Sequence, residues 1–320
     1  LVLNNDLSIS MFLLYFSAAG SFNGWVGGIL NGLLNLHKES IDISLVRECL
    51  EYPETFQIQG GEPLQIASGS PCELCLDHVS FRYPEAEKDT LTDICLTLHP
   101  GEKLAIVGMN GSGKTTMIKL LCRLYDPDEG EILLNGVDIR KFRMDEYSRL
   151  FSVVFQDFVL FPYMLAQNVA VDVEYDRELV RKCLRDAGLG ERLNEWERGE
   201  ETYLNKEFDD SGVEVSGGEG QKLVTARAYY KDAPIVVLDE PTSALDPLSE
   251  NAVYRRFHEI MEDKTAIFIS HRLASTRFCD RVAVFAGGKI VECGTHEQLM
   301  EQEGLYREMF LKQAEYYKSN

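Results

Sequence analysis

Lys103-Leu104-Ala105-Ile106-Val107 runs directly into Gly108-Met109-Asn110-Gly111-Ser112-Gly113-Lys114-Thr115, and Thr116-Met117-Ile118-Lys119-Leu120-Leu121 follows with helix-compatible composition. A buried-type strand, a glycine-rich loop and a helix start arrive in the order that a triphosphate cradle requires. The glycines at 108, 111 and 113 let successive backbone N–H groups converge on an anion, and the helix N-terminus adds its positive end. Lys114 is then expected to reach the β and γ phosphates, and the Thr115 hydroxyl to ligate Mg2+. Gly108, Asn110, Gly111, Ser112, Gly113 and Thr116 are the accompanying candidate contacts.

Such a loop needs a second, acidic site. Ile235-Val236-Val237-Leu238-Asp239-Glu240 reads as a buried parallel strand ending in two carboxylates, and parallel sheets place their ligand crevice at strand carboxyl ends. Asp239 is expected to face the magnesium and Glu240 to orient or deprotonate the attacking water.

Around these anchors, strand-like segments at 74–83, 91–98, 131–134, 152–155, 265–270, 281–286 and 289–292 alternate with helical ones, which predicts an α/β fold. At 320 residues and 45% hydrophobic content the chain can fill a substantial core. Its formal net charge of −20, with 52 acidic against 32 basic residues, argues against broad contact with nucleic acid, whose affinity comes from Lys and Arg on phosphates. The eight cysteines read as reduced cytosolic thiols. Cys72-Glu73-Leu74-Cys75 has a spacing that begins some metal sites, but no second pair or histidine cluster along the sequence completes it.

Between Asp6 and His37 the chain carries no charged residue, and the 7–36 run exceeds the roughly 20 apolar residues needed to span a bilayer as a helix. A membrane-crossing helix is expected there. Gly20, Gly24, Gly27, Gly28 and Gly32, with Asn23, Asn31 and Asn35, suit close approach by other helices rather than lipid alone. From Glu39 to Tyr52 the pattern turns amphipathic, Pro53 stops it, and Gln57 to Pro71 has linker composition. The expected division is a membrane helix with its cytoplasmic extension over 1–52, a linker over 53–72 and the α/β domain over 73–320.

Val215-Ser216-Gly217-Gly218-Glu219-Gly220-Gln221 resembles the signature segment of the ABC (ATP-binding cassette) ATPases, with Val for the usual Leu and Glu219 for the usual first Gln. By that resemblance the fold is a P-loop NTPase cassette with a β subdomain and a helical signature subdomain, preceded by one transmembrane helix. ATP and Mg2+ are then the implied cofactors, and Ser216, Gly217, Gly218 and Glu219 are implied to face ATP bound to a partner cassette. Further family elements fall in order: Tyr83 as the aromatic stacking on adenine, Gln156 as the loop glutamine that senses Mg2+, Asp246 in the loop crossing the dimer interface, and His271 as the switch histidine. Gln156, Glu240 and His271 are thus the implied catalytic set, with Thr115, Gln156 and Asp239 around the metal. Phe158, Phe161 and Tyr163 are implied to meet coupling helices of the membrane domain. The usual Glu-containing loop before the signature is here Asn205-Lys206-Glu207-Phe208-Asp209-Asp210-Ser211-Gly212, a departure from the pattern.

A membrane helix fused ahead of the cassette resembles the exporter arrangement. The resemblance implies an ATPase that couples cassette dimerisation to translocation, in a multi-pass cell-membrane protein with its cassette in the cytoplasm. The implied partners are a second half-transporter, the rest of the transmembrane domain and the lipid bilayer, with no nucleic acid. Homodimer or heterodimer, and the transported substrate, stay open. The rival is a soluble ABC-type ATPase of DNA repair or translation; the uncharged 7–36 segment and the lack of a long coiled-coil insertion between Gly113 and Ser216 separate the two.

Overall fold

A computed structural model of the chain describes residues 8–51, 61–64, 72–84, 86–240, 264–271 and 273–319. They fall into two compact units, one within residues 1–56 and one within 57–320.

The first unit is a single helix, α1 (Ile9–Leu50), 42 residues long. Ser8 caps its start by accepting from the Met11 N–H, and the Glu51 N–H closes its end on the Arg47 carbonyl. None of its residues is buried, and a Cβ added at Gly20, Gly24, Gly27, Gly28 or Gly32 would meet nothing within 4 Å. One expectation is corrected here: no helix among the described residues is long and apolar enough to cross a membrane. The run lacks charge, but its glycines, serines and the asparagines at 23, 31 and 35 dilute its apolarity; freedom from charge is not the same as hydrophobicity.

The second unit is built on two sheets. The smaller is antiparallel, in the order β2 (Leu91–Leu98), β1 (Leu74–Phe81), β4 (Glu129–Leu134), β5 (Val137–Asp138). The larger has six strands in the order β10 (Lys289–Gly294), β9 (Arg281–Ala286), β3 (Lys103–Gly108), β8 (Thr265–Ile269), β7 (Ile235–Asp239), β6 (Phe151–Val154). Its strands pair in parallel from β9 to β6, and β10 closes the edge antiparallel to β9. Leu104 to Val107 and every residue of β7 are buried, which is why both read as continuous apolar runs instead of alternating ones. The α/β class expected from the sequence is the one observed.

A core of both sheets packs around α2 (Lys114–Leu121). A separate apolar cluster joins α4 (Leu165–Ala170), α5 (Arg177–Asp186), α6 (Gly190–Glu195) and α7 (Gly217–Lys231) into a helical subdomain. A short helix, α3 (Met144–Ser148), precedes β6. At the C-terminus α8 (His296–Glu301) and α9 (Leu305–Ser319) cover β3 and β9 through Leu299 and Tyr306. The topology thus sets the loop after β3 and the end of β7 at the same carboxyl edge of the parallel sheet, separated by β8 alone.

Candidate nucleotide-binding site

The loop after β3 is shaped by glycines that no other residue replaces. Gly108 has φ +150° and a Cβ there would lie 2.3 Å from the Phe285 carbonyl oxygen; Gly113 has φ +102° and its Cβ would lie 2.5 Å from Leu91 Cδ2. Gly113 caps α2 without any side-chain hydrogen bond, so the first-turn N–H groups keep their capacity for an anion. The Lys114 side chain folds over its own loop, with Nζ donating to the carbonyls of Gly108 and Met109 at 3.0 Å each. Burial pushes this ammonium below its usual range, opposed by the charges of Glu240 and Asp239.

Thr115 Oγ1 donates to Asp239 Oδ2 at 2.9 Å, joining the start of α2 to the end of β7. Asp239 is 1% exposed, and its Oδ1 has no hydrogen-bond partner among the described residues. Burial pushes its carboxyl up, with the Thr115 hydroxyl pulling the other way. A buried carboxylate oxygen left unpaired beside a threonine hydroxyl is a hard oxygen donor set of the kind Mg2+ takes, and the residues fit that ion.

Glu240 directly follows β7 and sits in the left-handed region at φ +52°, a conformation costing a non-glycine residue about 1 kcal/mol. Two bonds hold it there: its N–H donates to the Ile269 carbonyl at 3.0 Å, and its carbonyl accepts from Gln221 Nε2 at 3.1 Å. Its carboxylate pairs with His271 Nε2. The His271 carbonyl accepts in turn from Gln313 Nε2 of α9 at 2.7 Å, and Gln313 Oε1 accepts from the Leu273 N–H.

One polar cleft gathers Thr90, Asn110 to Thr116, Gln156, Glu240 and His271. Gly108 and Asp239 stand behind its lining, in the contacts given above. Tyr83 is not among the lining residues: its ring packs edge-on against Phe81 and Tyr125 at 5.0 and 5.3 Å, and its hydroxyl pairs with Thr116 Oγ1 at 3.3 Å. Ser216, Gly217, Gly218 and Glu219 also lie apart from the cleft, at the start of α7, with Ser216 and Gly217 exposed. There the Ser216 N–H and Oγ–H both donate to Glu219 Oε2, at 2.8 and 2.9 Å, and Arg192 Nε donates to Glu219 Oε1 at 2.9 Å. Burial would raise the Glu219 carboxyl, but the Ser216 donors and Arg192 hold it below its usual range. Asp246 lies outside the described residues.

Of the aromatics after Gln156, Phe158 packs beneath α7 against Gly220, whereas Phe161 and Tyr163 are exposed. Phe208, from the departing loop, stacks on Tyr163 with ring centroids 5.8 Å apart, and Tyr163 on Phe161 at 6.3 Å. Thr90, Gln221, Gln313 and Phe208 are the site neighbours that sequence reading passed over. Each makes its contact across a gap in sequence, and only Gln221 and Phe208 lie within quoted segments.

The family model described as ABC transporter matches residues 91–243. The ATP-dependent lipid A-core flippase of Burkholderia pseudomallei (strain 1710b) is 42% identical over 249 residues, covering 77% of this chain and 41% of the flippase. The subtilin transport ATP-binding protein SpaT of Bacillus subtilis is 36% identical over 285 residues, covering 88% of this chain and 46% of SpaT. Among solved structures, a bacterial Atm1-family ABC exporter with ATP bound superposes with a TM-score of 0.79 at 29% identity, over 87% of this chain and 48% of that one. The chain therefore spans less than half the length of each of these three. The family match takes in the phosphate loop and the acidic strand end of the cleft, and residues 91–243 form an ABC transporter domain.

Proposed function

We propose that this chain is the ATP-binding and ATP-hydrolysing part of a membrane exporter, in which two cassettes close on two ATP molecules and drive translocation. The observation that carries the reading is the Thr115 to Asp239 contact at 2.9 Å with Glu240 and His271 beside it. It joins the phosphate cradle to the acidic strand end at one cleft.

In this reading the amides of 110–115 and Lys114 bind the phosphates, and Tyr83 serves the adenine. Thr115, Asp239 and Gln156 hold Mg2+, which when bound neutralises charge developing on the transferred phosphoryl group. Glu240 takes the proton of the attacking water or aligns it, and His271 fixes the Glu240 carboxylate. Ser216, Gly217 and Gly218 complete the opposite site of a second half-transporter, with Asp246 at the junction. The exposed Phe161, Tyr163 and Phe208 present an apolar surface for a transmembrane domain. The names of the relatives point to lipid and peptide cargo, and the membrane domain selects it.

The soluble rival is disfavoured by the stretch between Gly113 and Ser216, where the longest helix, α5, has 10 residues. The test is Glu240→Gln in detergent-solubilised full chain. ATP binding should stay within a few-fold of wild type while Mg2+-dependent hydrolysis falls by roughly 100-fold or more. Undiminished turnover overturns the assignment.

A further inference from the structure

The outer face of the β1–β2 hairpin carries a group of side chains that the nucleotide reading does not use. The β1 register slips between Leu76 and Val79, and the slip turns two successive residues, Asp77 and His78, toward solvent. Across the ladder, Asp93 and Cys95 are both exposed on β2. His78 and Asp93 are both left-handed, at φ +52° and +55°, in strands where any non-glycine residue prefers the extended region. Two strained residues facing each other, with their side chains in contact, are what a functional constraint looks like in a hairpin.

The contacts run through the imidazole. Asp93 Oδ1 is 2.6 Å from His78 Nδ1, Cys95 Sγ is 3.6 Å from the same nitrogen, and Asp77 Oδ1 is 3.9 Å from Nε2. One ligand atom each from Asp77, His78 and Cys95 lies within 4.8 Å of the other two. Around a tetrahedral zinc, sulfur, nitrogen and oxygen ligands stand roughly 3.3–3.6 Å apart, so side-chain shifts of about an ångström close the set. Among the described residues neither Asp77 nor Asp93 is paired with a lysine or arginine. The face therefore offers negative charge that only His78 offsets.

We propose that Asp77, His78 and Cys95 form a zinc site on this hairpin, separate from the nucleotide cleft. Thiolate, imidazole and carboxylate together suit Zn2+ and exclude the hard ions that the cleft takes. Asp93, 2.6 Å from Nδ1, orients the His78 ring, as a carboxylate does for a metal-ligating imidazole. Water fills the fourth position. Bound metal pins the bulge of β1 to β2. The sequence conceals the set because two ligands lie on one side of a chain reversal and the third on the other.

The test uses the metal-free full chain in detergent, titrated with Co2+ and then Zn2+, the latter against a chromophoric chelator. Wild type should show a sulfur-to-cobalt charge-transfer band that zinc abolishes. Cys95→Ser should lose the band, and Cys95→Ser and His78→Asn should each bind zinc at least ~10-fold more weakly. Asparagine tolerates the left-handed backbone, so His78→Asn removes the ligand without disturbing the bulge. Cys49→Ser, on α1, serves as the control and should match wild type. Absence of the band in wild type, or its survival in Cys95→Ser, overturns the proposal. Circular dichroism confirms that each variant is folded.

Discussion

Gln221 Nε2 donates to the carbonyl of Glu240 at 3.1 Å, so the helix that opens with the signature serine holds the backbone of the proposed base. Gln221 is 4% exposed and Glu240 is left-handed, so no water substitutes for this bond and the conformation it holds is not a resting one. Gln221→Leu should lower ATP hydrolysis by roughly tenfold, the effect of about one lost buried hydrogen bond. ATP affinity should be retained. Steady-state hydrolysis alongside fluorescent-nucleotide binding separates the two, and unchanged turnover would show that Glu240 needs no such support.

Lys114 donates to two loop carbonyls, and phosphate binding would exchange those bonds for charge-assisted ones. Lys114→Ala should therefore weaken nucleotide affinity by roughly 10- to 100-fold. Equilibrium binding of a fluorescent ATP analogue measures it.

Glu219 stands where the family has glutamine, and its carboxylate occupies the Ser216 hydroxyl. An arriving γ-phosphate would meet that negative charge, which Arg192, shared with Glu195, offsets in part. Glu219→Gln keeps the capping box, since glutamine fills the same role, and removes the charge. ATP-dependent dimerisation in a Glu240→Gln background should tighten by roughly fivefold, about 1 kcal/mol. Light scattering against ATP concentration reads the change.

Glu200 is 2% exposed and accepts from Arg181 Nε at 2.9 Å, with Arg177 beside it. Burial alone would raise its carboxyl, but the Arg181 bond and the two guanidinium charges hold it below the usual range. With the folded pKa depressed, its stabilisation is complete above the unfolded carboxyl pKa and is lost as pH falls through the folded one. Glu200→Gln should cost about 1–3 kcal/mol at neutral pH, and the difference from wild type should shrink as the medium is acidified below about pH 4. Urea denaturation at several pH values measures both.

The parallel strands were legible because burial on both faces leaves an unbroken apolar run, as in 104–107 and 235–238. Lys114, Thr115, Asp239 and Glu240 were legible because their chemistry depends on neighbours along the chain. β5, two residues long, leaves no period to read. Gln313 and Thr90 were invisible for a related reason: their partners come from distant segments, and a lone glutamine or threonine carries no local signal. Tyr83 shows the reverse case, since a tyrosine after a strand reads the same whether or not its ring also packs against neighbours, as it does here against Phe81 and Tyr125.

Phe161, Tyr163 and Phe208 form a stack that bridges the segment after Gln156 and the loop before Ser216. A push delivered to either end of this stack reaches both segments at once. In the proposed exporter, a single docking contact there would bear on the chain's own cleft and on the signature surface together, making both one mechanical event.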